Sequence, residues 1–173
     1  MIKVATWNVN SLRVRLPLLQ RFVTTYQPDV LCLQETKLPD EQFPVDGLRD
    51  MGFPHLAFQG QRAYNGVAIL SKLPLTDIVR GFSSEEPDEQ PRLLRATTAG
   101  IRIWSCYVPN GQAVGSDKFA YKLAWLAALT AWLKDELARH PRLVLAGDFN
   151  IAPEDRDAHP DWKEEIHVSV AGR

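Results

Sequence analysis

A carboxylate and an amide follow directly on the most apolar short segment of this sequence. Asp148 and Asn150 come just after the aliphatic run 143–146, which a turn-forming His-Pro pair precedes. Such a run is typical of an inner strand that is buried on both faces. Side chains two residues apart point to the same side of an extended chain, so Asp148 and Asn150 are predicted to converge if the strand geometry continues. Oxygen ligands placed at the end of a buried strand indicate metal chemistry.

Two further apolar segments end on polar side chains in the same way. Glu35 follows the run at 30–33, and Asn8 closes the segment that starts at Val4. Carboxylate and amide oxygens are the ligands that a hard cation such as Mg²⁺ prefers, and the sequence has no thiolate or paired-histidine pattern of a zinc site. The candidate metal-binding residues are therefore Asn8, Glu35, Asp148 and Asn150.

Taken singly, each of these residues has a simpler interpretation. Asn8 suits a turn at the end of a strand, and Glu35 or Asp148 suits an exposed strand end or a helix cap. Tyr107 ends an alternating strand, where a partly buried aromatic residue is common. Their joint occurrence in one order favours the functional interpretation.

Five segments resemble, in the same order, the exonuclease III type apurinic/apyrimidinic endonucleases of the endonuclease/exonuclease/phosphatase superfamily. The segments are Trp7-Asn8-Val9-Asn10-Ser11-Leu12-Arg13, Gln34-Glu35-Thr36-Lys37, Asn65-Gly66-Val67-Ala68, Tyr107-Val108-Pro109-Asn110-Gly111 and Gly147-Asp148-Phe149-Asn150-Ile151-Ala152-Pro153. Carboxylate motifs alone also fit DNase I-like nucleases and inositol-phosphate phosphatases. The Tyr-Val-Pro-Asn-Gly segment, followed by Lys-Phe-x-Tyr-Lys-Leu-x-Trp-Leu at 118–126, indicates the DNA-repair branch.

The resemblance implies a fold and an activity. The implied fold is α/β (α+β), a four-layer sandwich of two mixed β-sheets flanked by helices, here lacking the C-terminal part of the second sheet. Residues 1–173 would form a single domain, incomplete at its C-terminus. The implied activity is Mg²⁺-dependent or Mn²⁺-dependent hydrolysis of double-stranded DNA on the 5′ side of an abasic site. Activity as a 3′-to-5′ exonuclease and as a 3′-phosphatase on blocked ends is implied as well.

The resemblance also implies a role for each matching residue. Glu35 would bind the metal, with Asn8 beside it fixing ligands or water. Asp148 would orient or deprotonate the attacking water, or protonate the leaving group, while Asn150 would hold the phosphate or the nucleophile in line. The Tyr107 hydroxyl would approach a phosphate oxygen. Tyr107, Asp148 and Asn150 are therefore the expected catalytic residues, and stabilising the developing oxyanion charge is their main task.

DNA binding must come from a local patch, because the chain has a net charge of only −1. Arg92, Asn110 and Lys118 are the expected DNA-binding residues. Further cations that flank the same segments are Arg13, Lys37, Arg62 and Lys122. Contacts from such side chains to the phosphate backbone would make binding depend on salt.

Two segments that the family normally carries are missing, namely Trp-x-Asp-Tyr-Arg and a C-terminal Ser-Asp-His-x-Pro. The chain has four histidines, and none of them follows an aspartate, so none is predicted to act as the family's catalytic histidine. Two alternatives therefore stand beside the nuclease. One is an inactive truncated fragment with residual metal binding, and the other is a superfamily phosphatase acting on a small phosphorylated molecule.

Composition is that of a soluble globular domain, with 45% hydrophobic and 24% charged residues in 173. No apolar stretch reaches the length of a membrane span, and no signal peptide is visible, so a cytoplasmic monomer without a membrane partner is expected. Cys32 and Cys106 lie in apolar strand patterns and are predicted to be buried, unpaired thiols.

The predicted elements alternate between strands and helices. A helix is expected from Pro17, in its first turn, to about Tyr26, with an apolar stripe that includes Leu18 and Leu19 facing the core. A longer helix is expected from about Asp117 to His140. The acidic, proline-bearing segment 83–91 is predicted to be an exposed loop. Strands are expected near 2–8, 29–35, 55–60, 66–71, 92–99, 101–108 and 142–147.

Overall fold

Eight strands and three helices make up the described part of the computed structural model, which covers residues 1–82, 90–157 and 159. Two short 3₁₀ turns, Asp40–Gln42 and Asp155–Asp157, lie between them. The helices and strands follow in the order β1 (Val4–Asn8), α1 (Leu12–Tyr26), β2 (Val30–Gln34), α2 (Val45–Asp50), β3 (His55–Gln59), β4 (Val67–Ser71), β5 (Thr76–Arg80), β6 (Leu93–Thr98), β7 (Ile101–Tyr107), α3 (Asp117–Arg139) and β8 (Leu143–Asp148).

The strands form two mixed four-stranded sheets. The first has the order β1-β2-β4-β3, and β1 runs parallel to β2 with Asn8 opposite Gln34. The second has the order β5-β6-β7-β8, and β7 runs parallel to β8 with Tyr107 opposite Asp148. All other strand pairs are antiparallel. Because parallel strands end together, each sheet brings two carboxyl-terminal strand ends to one edge.

Two apolar clusters hold these layers together. In the first, α1 and α2 bury Leu19 and Leu48 against the outer face of the first sheet, beside Leu31 and Leu33. In the second, the inner faces of both sheets meet. Its buried members are Val30, Cys32, Ala57, Val67 and Ile69 from the first sheet, with Leu94, Ala96 and Ile103 from the second. The continuous aliphatic sequence of β2 follows from this arrangement, since every one of its residues is buried.

The chain divides into two compact units. The first comprises Met1–Tyr107 with Leu137–Asp148 and contains both sheets, whereas the second comprises Val108–Glu136 and the described residues from Phe149 onwards. Most of α3 belongs to the second unit, and it buries Phe119, Trp125 and Leu129. The fold of two mixed sheets with flanking helices confirms the predicted fold class, while the single domain over 1–173 stays a prediction.

Three elements differ from the prediction. The first helix begins at Leu12 instead of Pro17, which lies inside it. Its first amides are satisfied by tertiary bonds, because the backbone N–H of Ser11 donates to the Glu35 carbonyl (2.8 Å) and that of Leu12 to the Thr36 carbonyl (3.0 Å). The N-cap residue Ser11 makes no side-chain capping hydrogen bond.

The other two differences are elements that the prediction missed. Strand β5 and helix α2 have weak patterns of their own, since β5 is mostly exposed and α2 has six residues. Leu18, predicted to face the core, is 45% exposed, whereas Leu19 is buried as expected. Both cysteines are buried free thiols, which confirms that prediction.

Some sequence predictions fall outside the described residues. The acidic loop is described only at positions 90 and 91, and the tail only as far as 157 and at 159. Within the described ranges, no helix combines the length and apolar character that crossing a bilayer requires.

Candidate active site

Four of the predicted site residues lie at the carboxyl ends of two parallel strand pairs in the first unit. Asn8 ends β1 and Glu35 follows β2, while Tyr107 ends β7 and Asp148 ends β8. Each parallel pair thus supplies one carboxylate and one further polar side chain. In β2 every residue is buried, so its first charged side chain, Glu35, lies just beyond its end.

The Asn8 amide connects the carboxylates of the two sheets. Its Nδ2 donates to Glu35 Oε1 at 2.8 Å and to Asp148 Oδ2 at 2.7 Å. Its Oδ1 accepts a bond from the backbone N–H of Asn10 at 3.0 Å, which fixes the orientation of the amide plane. Glu35 and Asp148 are 113 positions apart in sequence (148 − 35 = 113), yet both accept a hydrogen bond from the same nitrogen.

Glu35 sits on an unusual backbone. It has φ of +52°, a left-handed conformation that a residue with a Cβ adopts at a cost of about 1–3 kcal/mol. Neighbouring loops hold it there, because the Glu35 carbonyl accepts from Ser11 and the Thr36 amide donates to the Gly66 carbonyl at 3.2 Å. The turn aims the Glu35 carboxylate away from the strand axis and toward Asn8 and Tyr107.

The Glu35 carboxylate is surrounded by donors. Lys37 Nζ forms an ion pair with its Oε2 at 2.9 Å, and Lys37 also donates to Asn10. Burial raises the pKa of Glu35, but hydrogen bonds from Asn8, Lys37 and Tyr107 and the positive charge of Lys37 outweigh burial, so the pKa is lowered overall. Glu35 is therefore ionised at neutral pH.

Tyr107 lies between an acid and a cation. Its hydroxyl donates to Glu35, and the Arg92 guanidinium lies 4.9 Å from the centre of its ring. Burial raises the pKa of Tyr107 to about 12, helped by the negative charge of Glu35 and its hydrogen bond and by the charge of Asp148, while Arg92 opposes the shift. The phenol is therefore a hydrogen-bond donor throughout the physiological range.

Close contact between β7 and β8 places Asp148. A Cβ on Gly147 would lie 2.0 Å from the carbonyl oxygen of Cys106, closer than any side chain could come. Only glycine lets β8 approach β7 at this position, one residue before the carboxylate. The Gly-Asp pair of the sequence is thus explained by packing as well as by chemistry.

This site could hold a hard cation. Glu35 and Asp148 supply carboxylate oxygens on either side of one amide, and Lys37 shows that Glu35 already binds a positive charge. In the described ranges 1–82, 90–157 and 159, no three His, Cys, Asp or Glu side chains cluster as a complete metal cage. Such a site would leave several positions to water, as Mg²⁺ prefers.

Of the other four predicted site residues, Asn150, Asn110 and Lys118 belong to the second unit and Arg92 to the first. Asn150 has φ of +50°, so strand geometry does not continue from Asp148 as the sequence reasoning assumed. Its Nδ2 donates to the Val108 carbonyl at 2.9 Å. Asn110 accepts from the backbone N–H of Gln112 at 3.1 Å, and Lys118 is exposed in the first turn of α3.

The remaining candidate cations separate into different environments. Arg13 and Arg62 are exposed, whereas Arg92 is half-buried and donates to Gln90 Oε1 at 2.9 Å and to the Tyr107 carbonyl at 3.4 Å. The structure does not support Lys122 as a contact to DNA backbone phosphates. Its side chain is fully buried, and its Nζ donates to the Asn150 carbonyl at 2.7 Å. The Lys-x-x-x-Lys spacing in α3 could not show which lysine faces inward.

Two of the described histidines, His55 and His140, belong to the first unit. His55 begins β3, opposite Ser71, and His140 precedes β8, so both lie at the strand ends opposite to Glu35 and Asp148. His159 is exposed, and His167 lies outside the described residues. The ion pair between Lys37 and Glu35 was not predicted from the sequence. The local indication of it is the spacing of two residues.

A family model described as the Endonuclease/Exonuclease/phosphatase family matches residues 5–167. The chain is 35% identical over 161 residues to exodeoxyribonuclease III of Haemophilus influenzae, an alignment that covers 90% of this chain and 60% of that protein.

Two solved structures are similar over the whole chain. One is a variant of the 3′ phosphatase NExo from Neisseria bound to a product DNA hairpin, with 46% identity and a TM-score of 0.94, covering 100% of this chain and 68% of that one. The other is an AP endonuclease from Archaeoglobus fulgidus, with 38% identity and a TM-score of 0.92, covering 100% and 67% respectively.

The chain spans between 51% and 61% of the length of the curated relatives it matches. Both mixed sheets and the polar side chains at their strand ends lie within that span, which the family model also matches. The chain belongs to the Endonuclease/Exonuclease/phosphatase family.

Proposed function

We propose that this protein is a metal-dependent DNA phosphodiesterase of the exodeoxyribonuclease III type. It would cleave double-stranded DNA on the 5′ side of an abasic site and act on 3′ ends as an exonuclease and phosphatase. The observation that carries the proposal is the Asn8 amide, which joins the carboxylates Glu35 and Asp148 from two sheets at one place. Relatives named as an exodeoxyribonuclease, a 3′ phosphatase bound to DNA and an AP endonuclease support it.

Glu35 is the proposed metal-binding residue, with Asp148, Asn8 and Asn150 completing the candidate set. When bound, Mg²⁺, or Mn²⁺ in its place, would supply positive charge against the phosphate and so stabilise the transition state. The lowered pKa of Glu35 keeps its carboxylate ionised for this role. The Asn8 amide holds the two carboxylates apart and in a fixed orientation, as residues around a metal ligand commonly do.

The other side chains would transfer the proton and bind the phosphate. Asp148, which accepts a hydrogen bond from Asn8, would orient and deprotonate a water molecule or return a proton to the leaving oxygen. Tyr107 stays protonated and would donate its hydroxyl hydrogen bond to a phosphate oxygen. Asn150 is proposed to hold the phosphate or the nucleophile in line.

Arg92, Asn110 and Lys118 are the proposed DNA-binding residues. Charged contacts to backbone phosphates release counterions, so binding would weaken as the salt concentration rises. A flexible abasic site would be recognised through its shape and by rotation of the sugar out of the duplex. The monomeric state and the cytoplasmic location stay predictions.

The experiment is cleavage of a duplex carrying one abasic site, with Mg²⁺ or Mn²⁺, by the protein and by Asp148→Asn. Asp46→Asn is the matched control, because that carboxylate is 98% exposed on α2. We expect cleavage by the protein and the control, and a loss of about 10³-fold in Asp148→Asn.

Three results would overturn the proposal. Equal cleavage by the Asp148→Asn and Asp46→Asn proteins would remove the site from the reaction. Phosphate release from small phosphorylated molecules without any DNA cleavage would favour a phosphatase of the same family. Neither activity, in a chain that melts cooperatively, would identify an inactive fragment.

A further inference from the structure

A polar bridge, buried at Gln34 and Ser105 and exposed at Thr6, lies directly beneath the candidate site in the first unit. Gln34, the last residue of β2, is 1% exposed and lies between two otherwise apolar sheet faces. Its Nε2 donates to Thr6 Oγ1 on β1 and to Ser105 Oγ on β7, each at 3.1 Å. The Ser105 hydroxyl donates in turn to the Leu33 carbonyl at 3.2 Å. One side chain therefore ties the first sheet to the second.

The partners of Gln34 are spaced regularly with respect to the site. Thr6 lies two residues before Asn8, and Ser105 lies two residues before Tyr107. Residues two apart share a face of a strand, so each partner sits one layer below a site residue. Gln34 itself immediately precedes Glu35. The bridge thus meets three of the four strand ends that carry the site.

Apolar contacts alone would define this spacing less sharply. The two sheets otherwise meet through aliphatic side chains such as Val67, Ile69 and Ile103, and the hydrophobic effect has no preferred direction. Hydrogen bonds weaken steeply with distance and angle, and a buried amide that loses its partners is costly. A polar residue in this layer therefore specifies one distance between the sheets at the level of the site.

We propose that Gln34 is a positioning residue that sets the distance between the Asn8–Glu35 pair and the Tyr107–Asp148 pair. The inference deepens the proposed function and rests on it. Gln34 does not touch the substrate in this role; it holds β1, β2 and β7 so that one Asn8 nitrogen reaches both carboxylates. A side chain of the same length without the amide would fill the space and release the two sheets.

The test uses Mn²⁺ as the probe and measures its dissociation constant by water proton relaxation in the purified chain. The variants are Gln34→Met, Ser105→Ala and the double variant. Ile69→Val is the matched control, because it trims the same inter-sheet core without touching the bridge. We expect Mn²⁺ to bind on the order of tenfold more weakly in each bridge variant, as for other residues that orient metal ligands. The double variant should be no weaker than the weaker single one.

A second readout separates this inference from the proposed function. The side-chain amide resonance of Asn8 and the ring resonances of Tyr107 report the site without any metal. We expect both to shift in Gln34→Met and to stay in place in Ile69→Val. If Gln34→Met bound Mn²⁺ as tightly as the unaltered chain and its Asn8 and Tyr107 resonances did not move, the positioning role would be overturned. It would also be overturned if Ile69→Val weakened Mn²⁺ binding and shifted these resonances as much as Gln34→Met. If the unaltered chain bound no Mn²⁺, the proposed function would fail, and the resonances alone would decide the role of Gln34.

Discussion

Two parallel strand pairs carry the candidate site, and they hold their carboxylates in different ways. Glu35 lies one residue beyond β2, on a left-handed backbone, with Asn8, Lys37 and Tyr107 all donating to it. Asp148 is the last residue of β8 itself, directly opposite Tyr107 in the β7 register. One carboxylate is placed by a strained turn and a cation, and the other by close strand packing.

The difference separates two tasks that the sequence presents as equivalent. A carboxylate whose pKa is lowered and which already binds an ammonium group is suited to hold a cation. A carboxylate at the end of a strand, with the Asn8 amide donating to it, is suited to work on a water or a leaving group. We therefore propose that the β1–β2 pair chiefly binds the metal and that the β7–β8 pair chiefly transfers the proton.

The largest expected effect is on the rate in Asp148→Asn. Replacing the carboxylate keeps the size of the side chain and removes its basicity, so cleavage of abasic DNA should fall by about 10³-fold. The Mn²⁺ dissociation constant should change by less than about threefold, a difference of about 0.7 kcal/mol. Single-turnover cleavage and Mn²⁺ titration of the same preparation check this. A loss of Mn²⁺ affinity as large as the loss of rate would mean that the two strand pairs do not divide metal binding and proton transfer between them.

Next is the effect of Glu35→Gln on metal binding. Because Glu35 provides the ionised oxygen, we expect Mn²⁺ affinity to fall by about 100-fold, with cleavage partly restored at high Mn²⁺ concentration. The measurement is the dependence of the cleavage rate on Mn²⁺ concentration. An unchanged half-saturation point would place the metal on the β7–β8 pair instead.

The packing of the β7–β8 pair is tested by Gly147→Ala. The added Cβ would meet the Cys106 carbonyl oxygen at 2.0 Å, so the free energy of unfolding should fall by about 1–3 kcal/mol. Gly47→Ala is the control, because a Cβ there meets nothing within 4 Å and alanine favours the α2 helix. Urea unfolding curves compare the two variants. Equal stability would mean that β8 can move away from β7 at little cost.

A smaller change is expected for Tyr107→Phe. Loss of the hydroxyl removes one hydrogen bond, worth about 1.4 kcal/mol or a tenfold change in rate. Alkaline titration by tyrosine absorbance should lose its step near 12, the pKa to which burial and Glu35 raise Tyr107. If that step survived in Tyr107→Phe, another tyrosine would be responsible for it.

The smallest effect concerns pH and Lys37→Met. Burial opposes ionisation of Glu35, and Lys37 is among the groups that nevertheless lower its pKa. A lowered pKa in the folded state stabilises the fold above the usual glutamate value of 4.5, and this contribution is lost as pH falls through the folded-state pKa. Without Lys37 the pKa of Glu35 should rise and the contribution should shrink. Thermal melts between about pH 3 and pH 7 should therefore show a weaker acid dependence. An unchanged dependence of the melting temperature on pH would mean that the hydrogen bonds from Asn8 and Tyr107 lower the pKa of Glu35 without Lys37.

Much of the site followed from apolar runs that end in polar residues. Val30, Leu31 and Leu33 identify β2 because a buried strand needs no alternation, and Glu35 then stands out as the first charge beyond it. The start of α1 could not be found in this way, since its first amides are satisfied by carbonyls of the Glu35–Thr36 turn. A bond between residues far apart in sequence leaves no local signal.

The sequence also did not show which lysine side chains point inward and which point outward. Lys118 and Lys122 lie one helical turn apart and carry the same charge, yet Lys118 is exposed and Lys122 is fully buried against a backbone carbonyl. The left-handed turn at Asn150 was also missed, because asparagine is common both in strand ends and in turns.

The sequence by itself determined the family, the order of the strands that carry the site and the identity of the polar groups at their ends. These depend on residue types and local periodicity, which are readable along one chain. Only the tertiary structure decided that one Asn8 nitrogen serves both carboxylates, that Lys37 neutralises Glu35 and that Gln34 joins the two sheets beneath them. Such contacts arise when strands from distant parts of the chain pack together, because hydrogen bonds and ion pairs act over a few ångströms in space, whatever the separation in sequence.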